Sequence, residues 1–265
     1  MNQDSNLLWL SVSPHLKCFD RRLLAQLAKT HPVRTWEYIQ TVDEPCCLDS
    51  VVNELHQYVS DRAALEQRSG QADYKVHLLG HGVSGVVGLM YARTYPERVA
   101  SLTLLSVNAK PADNWQAHYY ALRQLLPCSR EMILVQMAKM MFGHQPHRFS
   151  RALAKLLACD LDSSLSLHSL AHDVDIPGGA TEVPLLVCNG EHDSIIQAQK
   201  AVLWRKCMKP GDRIWQCPKG HHFFHFHQAE STAKVITAHI DSNNQTHSQA
   251  AASQSAPQFS QASAL

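Results

Sequence analysis

The sequence lacks the features that would assign it to several specialised classes of protein. Its 265 residues carry 24 basic and 23 acidic side chains, so the formal net charge is only +1. No excess of positive charge favours nucleic acid or an anionic membrane surface as a partner. The eight cysteines are far below the roughly 8–10% of a disulfide scaffold and form no CxxC pair. We therefore expect free thiols in a reducing compartment.

Long hydrophobic runs are also missing. The longest mostly apolar stretch, Val83 to Ala92, is well short of the roughly 18 residues that a membrane-spanning helix requires. The residues Met1 to Asp4 lack the basic region of a signal peptide, and the apolar run Leu7 to Leu10 is too short for its hydrophobic core. These features predict a cytoplasmic protein with no membrane span.

Apolar residues make up 45% of the chain and form short runs that alternate with longer helical patterns. The short runs are bounded by turn residues, as is typical of strands buried on both faces. This alternation predicts an α/β fold with a mostly parallel sheet of about six strands and helices on both faces. The strand candidates are Leu7 to Val12, Val33 to Ile39, Lys75 to Leu79, Ser101 to Val107, Pro184 to Asn189 and Asp212 to Cys217. The helical candidates are Arg21 to Thr30, Leu48 to Gln67, Val83 to Tyr95, Gln197 to Met208 and Gln228 to Ile240.

Two segments interrupt this alternation. From Ala109 to Pro177, helical patterns follow one another without a strand, and Glu131 to Phe142 (EMILVQMAKMMF) is rich in methionine. Ligands bind at the carboxyl ends of parallel strands, so a helical insertion there predicts a lid, although the methionines are equally explained by packing of the insertion on the sheet. Residues 241–265 are rich in Ser, Gln and Ala, which predicts a disordered tail after a domain of residues 1–240.

The segment Val76 to Val99 (VHLLGHGVSGVVGLMYARTYPERV) reads as a strand, a tight glycine turn and a helix. It resembles the nucleophile elbow of the α/β-hydrolase superfamily, written G-H-S-x-G-G before a helix and a Pro-Glu-Arg-Val sequence. In that register Gly82 stands where the family has its nucleophilic serine, and Ser84 stands where it has a glycine two residues later. A glycine has no side chain with which to attack a substrate. Ser84 is the alternative nucleophile, although a serine at this point more often binds or packs within the first helical turn.

The resemblance extends to the acid and base of the family's triad. Asp193 follows the strand in PLLVCNGEHD, where the family has its acid, and His221 follows Gly220 after the last strand, where the family has its base. The order 82, 193 and 221 is the order of the triad. We therefore expect a retained Asp193–His221 pair. The alternatives are that Asp193 only caps a turn and that His221 is one of several polar histidines.

The residues expected to bind an oxyanion are altered. The resemblance places one backbone donor at Val83, after the elbow, and the other just after the first strand. The family usually has His-Gly there, whereas this chain has Ser11 and Val12. Valine restricts the backbone and adds bulk, so we expect a reshaped oxyanion region.

Two other groups of residues offer alternative chemistry. Cys217, His221 and His225 are spaced at four-residue intervals, with His222 and His227 nearby, which is one arrangement for a metal site. No CxxC or HExxH accompanies them, so we expect no metal and no other cofactor. The thiols of Cys188 and of the Cys46–Cys47 pair are alternative nucleophiles, but buried cysteines usually serve as small apolar residues.

Three functional hypotheses follow. The first is a pseudo-hydrolase that has lost serine chemistry and binds a small apolar molecule or a partner protein in a regulatory or assembly role. The second is an enzyme in which His221, oriented by Asp193, acts as a general base on water or on the substrate without a covalent intermediate. The third is an esterase with a displaced nucleophile. The loss of the elbow serine favours the first.

Overall fold

The computed structural model describes residues 6–39, 47–68, 74–162, 181–196 and 201–254, with side chains as far as residue 245 except that of residue 201. Its centre is a parallel sheet in the order β2-β1-β3-β4-β5-β6. The prediction of about six mostly parallel strands is confirmed, including the adjacency of β3 and β4. The strands are β1 Leu7–Ser11, β2 Val33–Glu37, β3 Val76–His81, β4 Val99–Leu105, β5 Leu185–Gly190 and β6 Arg213–Cys217.

Helices follow the strands as the α/β pattern requires. The α-helices are α1 Arg21–Leu27, α2 Leu48–Arg68, α3 Val83–Thr94, α4 Trp115–Leu125, α5 Arg130–Phe142, α6 His147–Asp162, α7 Ala201–Arg205, α8 Phe224–His227 and α9 Ala229–Gln254, and short 3₁₀ helices cover Lys17–Phe19 and Pro96–Arg98. The helix expected from Gln197 is described only from Ala201, because residues 197–200 lie outside the described ranges. Within those ranges no helix is both long and apolar enough to cross a membrane.

The two faces of the sheet bury alternate residues of each strand. In β1, Leu8 and Leu10 pack with α2 and α3 on one face, whereas Leu7 and Trp9 pack with α1 and α9 on the other. Successive side chains of a strand point to opposite faces, so an entirely apolar strand needs a helical layer on each side. This explains why the short apolar runs in the sequence predicted a doubly covered sheet.

The helical insertion, which we define as α4, α5 and α6, follows β4 as expected. Its first two helices begin at side-chain caps, because Asn114 accepts a hydrogen bond from the N–H of Ala117 and Ser129 accepts one from the N–H of Met132. Met137 and Met141 are fully buried in its own apolar core. The predicted far end of the insertion, Pro177, lies outside the described residues.

The last helix continues past the expected domain boundary. Residues 241–254 extend α9 where the composition predicted a disordered tail, and residues 255–265 are outside the described ranges. A half-buried polar contact attaches the first part of this extension to the sheet: His77 in β3 donates from Nε2 to Oδ1 of Asn244 at 3.0 Å, while its Nδ1 accepts from the hydroxyl of Ser101 at 2.7 Å. Such a contact between distant residues cannot be predicted from composition.

Candidate functional site

The turn between β3 and α3 is the segment that the resemblance assigns to the elbow, and that name is kept for it. Gly82 has φ = 53° and ψ = −125°, a region that residues with a side chain rarely adopt. Its N–H donates to the carbonyl of Leu105 in β4 at 2.9 Å, which fixes the turn to the sheet. A Cβ built on Gly82 meets no heavy atom within 4 Å. The backbone therefore favours glycine, but the surrounding space would accept a larger residue.

Ser84 links the elbow to the loop after β1. Its side chain is buried, and its Oγ accepts a hydrogen bond from the backbone N–H of Val12 at 3.1 Å. The hydroxyl therefore faces that loop. The N–H of Val83 is at the first position of α3, where no partner exists within the helix. The two N–H groups expected to bind an oxyanion thus differ. The N–H of Val12 donates to Ser84, whereas the N–H of Val83 is at the N-terminus of a helix.

A small polar cavity adjoins Gly82. Its volume is about 30 Å³, enough for one or two water molecules and about a tenth of the volume of a typical small-molecule site. Trp115 of the helical insertion and Phe223 are among the residues that line it. Ser11, Ser13, Lys17, Asp20, His81 and Gln116 also line the cavity. In this conformation it has no room for the apolar ligand that the first hypothesis considered.

The retained acid–base pair exists, but its histidine is not His221. Asp193 Oδ2 accepts a hydrogen bond at 3.0 Å from Nδ1 of His222, and both side chains are only 1% exposed. His221 instead lies against Gly143 and His192. The predicted Asp193–His221 pair is therefore wrong by one residue.

The geometry of the turn after β6 explains the shift. The carbonyl of Gly220 accepts from the N–H of His192 at 2.7 Å, which aligns this turn with the Asp193 loop. Of the two histidines that follow, His222 forms the hydrogen bond with Asp193, whereas His221 lies near Gly143 and His192. The Gly-His match located the correct loop, but it could not distinguish adjacent histidines.

Asp193 and His222 are held in place by several further hydrogen bonds. Asp193 Oδ1 accepts from the N–H groups of Ile195 and Ile196 at 2.9 and 3.0 Å. Burial acts to raise the pKa of Asp193, but the neighbouring His222 and these N–H donors outweigh it and hold that pKa below its ordinary value. The carbonyl of His222 accepts from the hydroxyl of Ser106 at 2.7 Å. Nε2 of His222 is buried and has no hydrogen-bond partner in the described part of the chain.

His81 lies between the elbow and a cluster of histidines. Its ring centroid is 4.9 Å from that of His222 and 4.7 Å from that of His225, and its Nε2 donates to the carbonyl of His222 at 3.0 Å. Burial, His225 and His222 together hold the pKa of His81 well below its ordinary value. At neutral pH His81 is therefore an uncharged ring beside the cavity.

A second buried histidine–carboxylate pair was not predicted. His225 donates from Nε2 to Asp20 Oδ1 at 3.0 Å, and Trp9 donates from its indole nitrogen to Asp20 Oδ2 at 3.1 Å. Asp20 and His225 are 205 residues apart, so no local motif could have paired them. Asp20 is buried and a buried carboxylate requires partners, but that burial is visible only in the structure.

The metal and thiol alternatives receive no support from the geometry. Among the residues that the structure places, no group of three His, Cys, Asp or Glu side chains is arranged to hold a metal ion. Cys188 is completely buried, and burial and the nearby Cys217 raise its pKa, which disfavours the reactive thiolate. Cys47 is a half-buried free thiol that does not line the cavity beside Gly82, and Cys46 lies outside the described ranges.

The helical insertion is bound to both loops of the Asp193–His222 pair. The carbonyl of Met141 accepts from the N–H of Phe223 at 3.1 Å, and the carbonyl of Met140 accepts from the hydroxyl of Ser194 at 3.4 Å. The rings of Phe142 and Phe223 stack with centroids 4.6 Å apart. The C-terminus of α5 is therefore attached to both loops that carry the pair.

A buried carboxyl within the insertion gives a test of its packing. Burial raises the pKa of Asp160 to about 7. A hydrogen bond with Gln116 lowers this pKa, but by less. The folded-state pKa is above the unfolded one, so this carboxyl contributes stability below pH 4 that is lost as pH rises through 7. We expect Asp160→Asn to raise the free energy of unfolding by roughly 2–3 kcal/mol more at pH 8.5 than at pH 5, where the carboxyl is still mostly protonated in the folded protein.

Urea denaturation of both proteins at the two pH values measures this difference. Other titrating groups are common to the two proteins and cancel. An equal effect at pH 5 and pH 8.5 would contradict the assignment of a carboxyl that ionises near neutrality.

Solved structures share this architecture. An esterase from Exiguobacterium antarcticum superposes with a TM-score of 0.65 at 15% identity, covering 89% of this chain and 92% of that one. A hydrolase from Pseudomonas aeruginosa has a TM-score of 0.63 at 20% identity, with 90% and 91% covered. An esterase from Thermogutta terrifontis has a TM-score of 0.63 at 16% identity, with 90% of each chain covered. The parallel sheet, the elbow turn and these similarities define an α/β-hydrolase fold.

The sequence relatives are cyanobacterial. An uncharacterized protein of Nostoc sp. strain PCC 7120 is 41% identical over 226 residues, which are 85% of this chain and 86% of that protein. An uncharacterized protein of Synechocystis sp. strain PCC 6803 is 41% identical over 233 residues, covering 88% and 89%. This chain belongs to the same family as these proteins. No established family model matches the sequence.

Proposed function

We propose that this protein is a pseudo-hydrolase: it keeps the α/β-hydrolase fold but has no serine nucleophile, and it has a binding, regulatory or assembly role. The observation that carries the proposal is Gly82 at the elbow, with the positive φ of that turn and no side chain to attack a substrate. The helical insertion acts as a lid over the Asp193–His222 pair in this proposal.

The contact between Ser84 and Val12 supports the same function. Serine hydrolysis needs backbone donors that are free to bind a developing oxyanion. Here the N–H of Val12 donates to the hydroxyl of Ser84. The serine that stands in place of the family's glycine therefore occupies a backbone donor in the altered loop after β1. The hydroxyl is also buried, which argues against an esterase that uses Ser84 instead.

Reaction with a fluorophosphonate probe tests this proposal. We expect the purified protein to remain unlabelled, because its elbow offers no activated serine. A serine esterase of the same fold is the positive control, and the Ser84→Ala variant sets the background. Stoichiometric labelling that mass spectrometry maps to Ser84 or another serine would overturn the proposal.

One observation favours a second candidate, a hydrolase that uses His222 as a general base on water. His222 Nε2 is buried without a hydrogen-bond partner within the described ranges, and Asp193 orients the ring through Nδ1. General-base catalysis of this kind contributes about 10² to 10⁴ in rate. Turnover of p-nitrophenyl acetate that falls by at least about 100-fold in His222→Gln, without any probe labelling, would favour this candidate over the pseudo-hydrolase.

A further inference from the structure

A second, larger cavity lies on the outer side of the turn after β6, away from Gly82. Its volume is about 230 Å³, somewhat below the range of typical small-molecule sites. The end of α5 forms one wall, and the β6 turn and α8 form the other. The residues that matter for its chemistry are Phe142, His144, Lys219, His221, Phe224 and His227.

The lining is basic and has no acidic side chain among the residues described there. Lys219 supplies a positive charge, and His144, His221 and His227 are three imidazoles that can accept a proton. The carboxylate of Glu191 is close by, because its Oε2 accepts from the backbone N–H of Lys219 at 2.8 Å. That contact uses the backbone of Lys219 and does not involve its ammonium group.

The position of His221 is determined by the helical insertion. Gly143 ends α5 with φ = 76°, and a methyl group at this residue would collide with Nε2 of His221. The glycine thus allows the insertion to approach the imidazole closely, which fixes the ring at the cavity wall. His221 was expected to be the base of the triad, and its place at this cavity gives it a different role.

The surroundings of His221 and His227 lower the pKa of both rings while the cavity holds no anion. Burial and His192 lower the pKa of His221, with partial opposition from Asp193. Burial, Arg22, His221 and His225 lower the pKa of His227. An anion between these rings would reverse part of this effect, because opposite charge favours the protonated form.

The donor set distinguishes between a cation and an anion. Within the described part of the chain no three side chains are arranged to hold a metal ion, and the cavity offers no carboxylate to a cation. We infer that this cavity binds the carboxylate or phosphate group of a small organic anion, with Lys219 and the imidazoles contacting the anionic group. The rings of Phe142 and Phe224 contact the rest of the molecule. This site does not depend on the absence of a nucleophile at Gly82.

Ring signals of the histidines in proton–carbon NMR spectra provide the test. Inorganic phosphate and benzoate are titrated separately at constant ionic strength, and benzylamine, an aromatic cation, is the charge control. We expect saturable shifts at His221 and His227 with one or both anions, tighter binding at pH 6 than at pH 8, and no saturation with benzylamine. Phosphate alone would identify a phosphate site, and benzoate alone a carboxylate site.

Two variants test the assignment to this cavity. Lys219→Asn removes the charge while asparagine tolerates the positive φ of residue 219, and we expect at least about tenfold weaker binding because a charge-assisted hydrogen bond is lost. His221→Gln should also weaken binding. Lys206→Asn, at an exposed lysine elsewhere, should bind as the unmodified protein does.

Three results would overturn the inference: shifts that do not saturate with either anion, equal affinity in Lys219→Asn and Lys206→Asn, or equal saturation with benzylamine. Circular dichroism and thermal unfolding establish that each variant is folded. If Lys219→Asn does not fold, His221→Gln carries the comparison. Fluorophosphonate labelling is independent of all these outcomes, so failure of the anion site and failure of the pseudo-hydrolase proposal are distinguishable.

Discussion

Gly82→Ser is expected to make the protein react with a fluorophosphonate probe. The new Cβ meets no heavy atom within 4 Å, so the hydroxyl has space at the turn. His81, the preceding residue, is in ring contact with His222, whose Nε2 has no partner among the described residues. An imidazole oriented by Asp193 can deprotonate a serine within its reach. The positive φ of residue 82 costs on the order of 1–3 kcal/mol in stability.

The matched variants separate the two histidines. Labelling should disappear in Gly82→Ser combined with His222→Ala, and it should persist in Gly82→Ser combined with His221→Gln. Labelling will be slow, because the cavity of about 30 Å³ must widen to admit the probe. Equal labelling of the two double variants, both folded, would show that His222 does not serve residue 82.

Ester turnover of Gly82→Ser should remain poor for a reason that can itself be tested. Loss of one oxyanion donor costs about 10² to 10³ in rate, and Ser84 binds the N–H of Val12. Adding Ser84→Gly to Gly82→Ser releases that N–H and should raise turnover by at least about tenfold. The same rate with and without Ser84→Gly would mean that the Val12 donor has no part in the reaction.

Asp193→Ala is expected to lower the free energy of unfolding by about 3–5 kcal/mol, the cost of breaking a buried pair by removing one partner. The change leaves His222 Nδ1 and the N–H groups of Ile195 and Ile196 without their acceptor. Asp193→Asn is the matched control, because its amide oxygen can still accept from the two N–H groups. It should lose clearly less stability. Urea denaturation at pH 7 measures both.

The pH dependence of this loss follows from the pKa of Asp193, which is below its ordinary value in the folded protein. A carboxyl with a lowered folded-state pKa contributes stability that is present above the unfolded pKa, near 4, and is lost as pH falls through the folded value. The difference between the unmodified protein and Asp193→Asn should therefore shrink as pH falls below about 4. A difference that is largest in acid would have the wrong sign.

A large contribution to stability would also explain why the chain has the Asp193–His222 pair although residue 82 is a glycine. The pair binds the Asp193 loop to the β6 turn, and the carbonyl of His222 holds Ser106 and His81. These bonds stabilise the carboxyl edge of the sheet whether or not a reaction takes place there. Retention of Asp193 and His222 is therefore compatible with a pseudo-hydrolase.

The sequence predicted most of the fold because its signals are local. The apolar runs at Leu7–Ser11 and Val99–Leu105 bury both faces, and the glycine turn at Gly82 is encoded by adjacent residues. What it missed depends on direction or on distant contacts. The choice of His222 over His221 requires the path of the backbone, and the Asp20–His225 pair requires the two ends of the chain to meet.

The attachment of the helical insertion has a consequence for how the molecule fluctuates. The bonds from Met140 and Met141 to the two loops and the stacked Phe142 and Phe223 join α5 to the Asp193–His222 pair. Regions linked in this way open as cooperative units rather than residue by residue. Lifting α5 would therefore hydrate the buried pair and release His221 from Gly143 in a single event. Solvent would then enter beside Gly82 at the same rate at which the cavity beside His221 loses its shape.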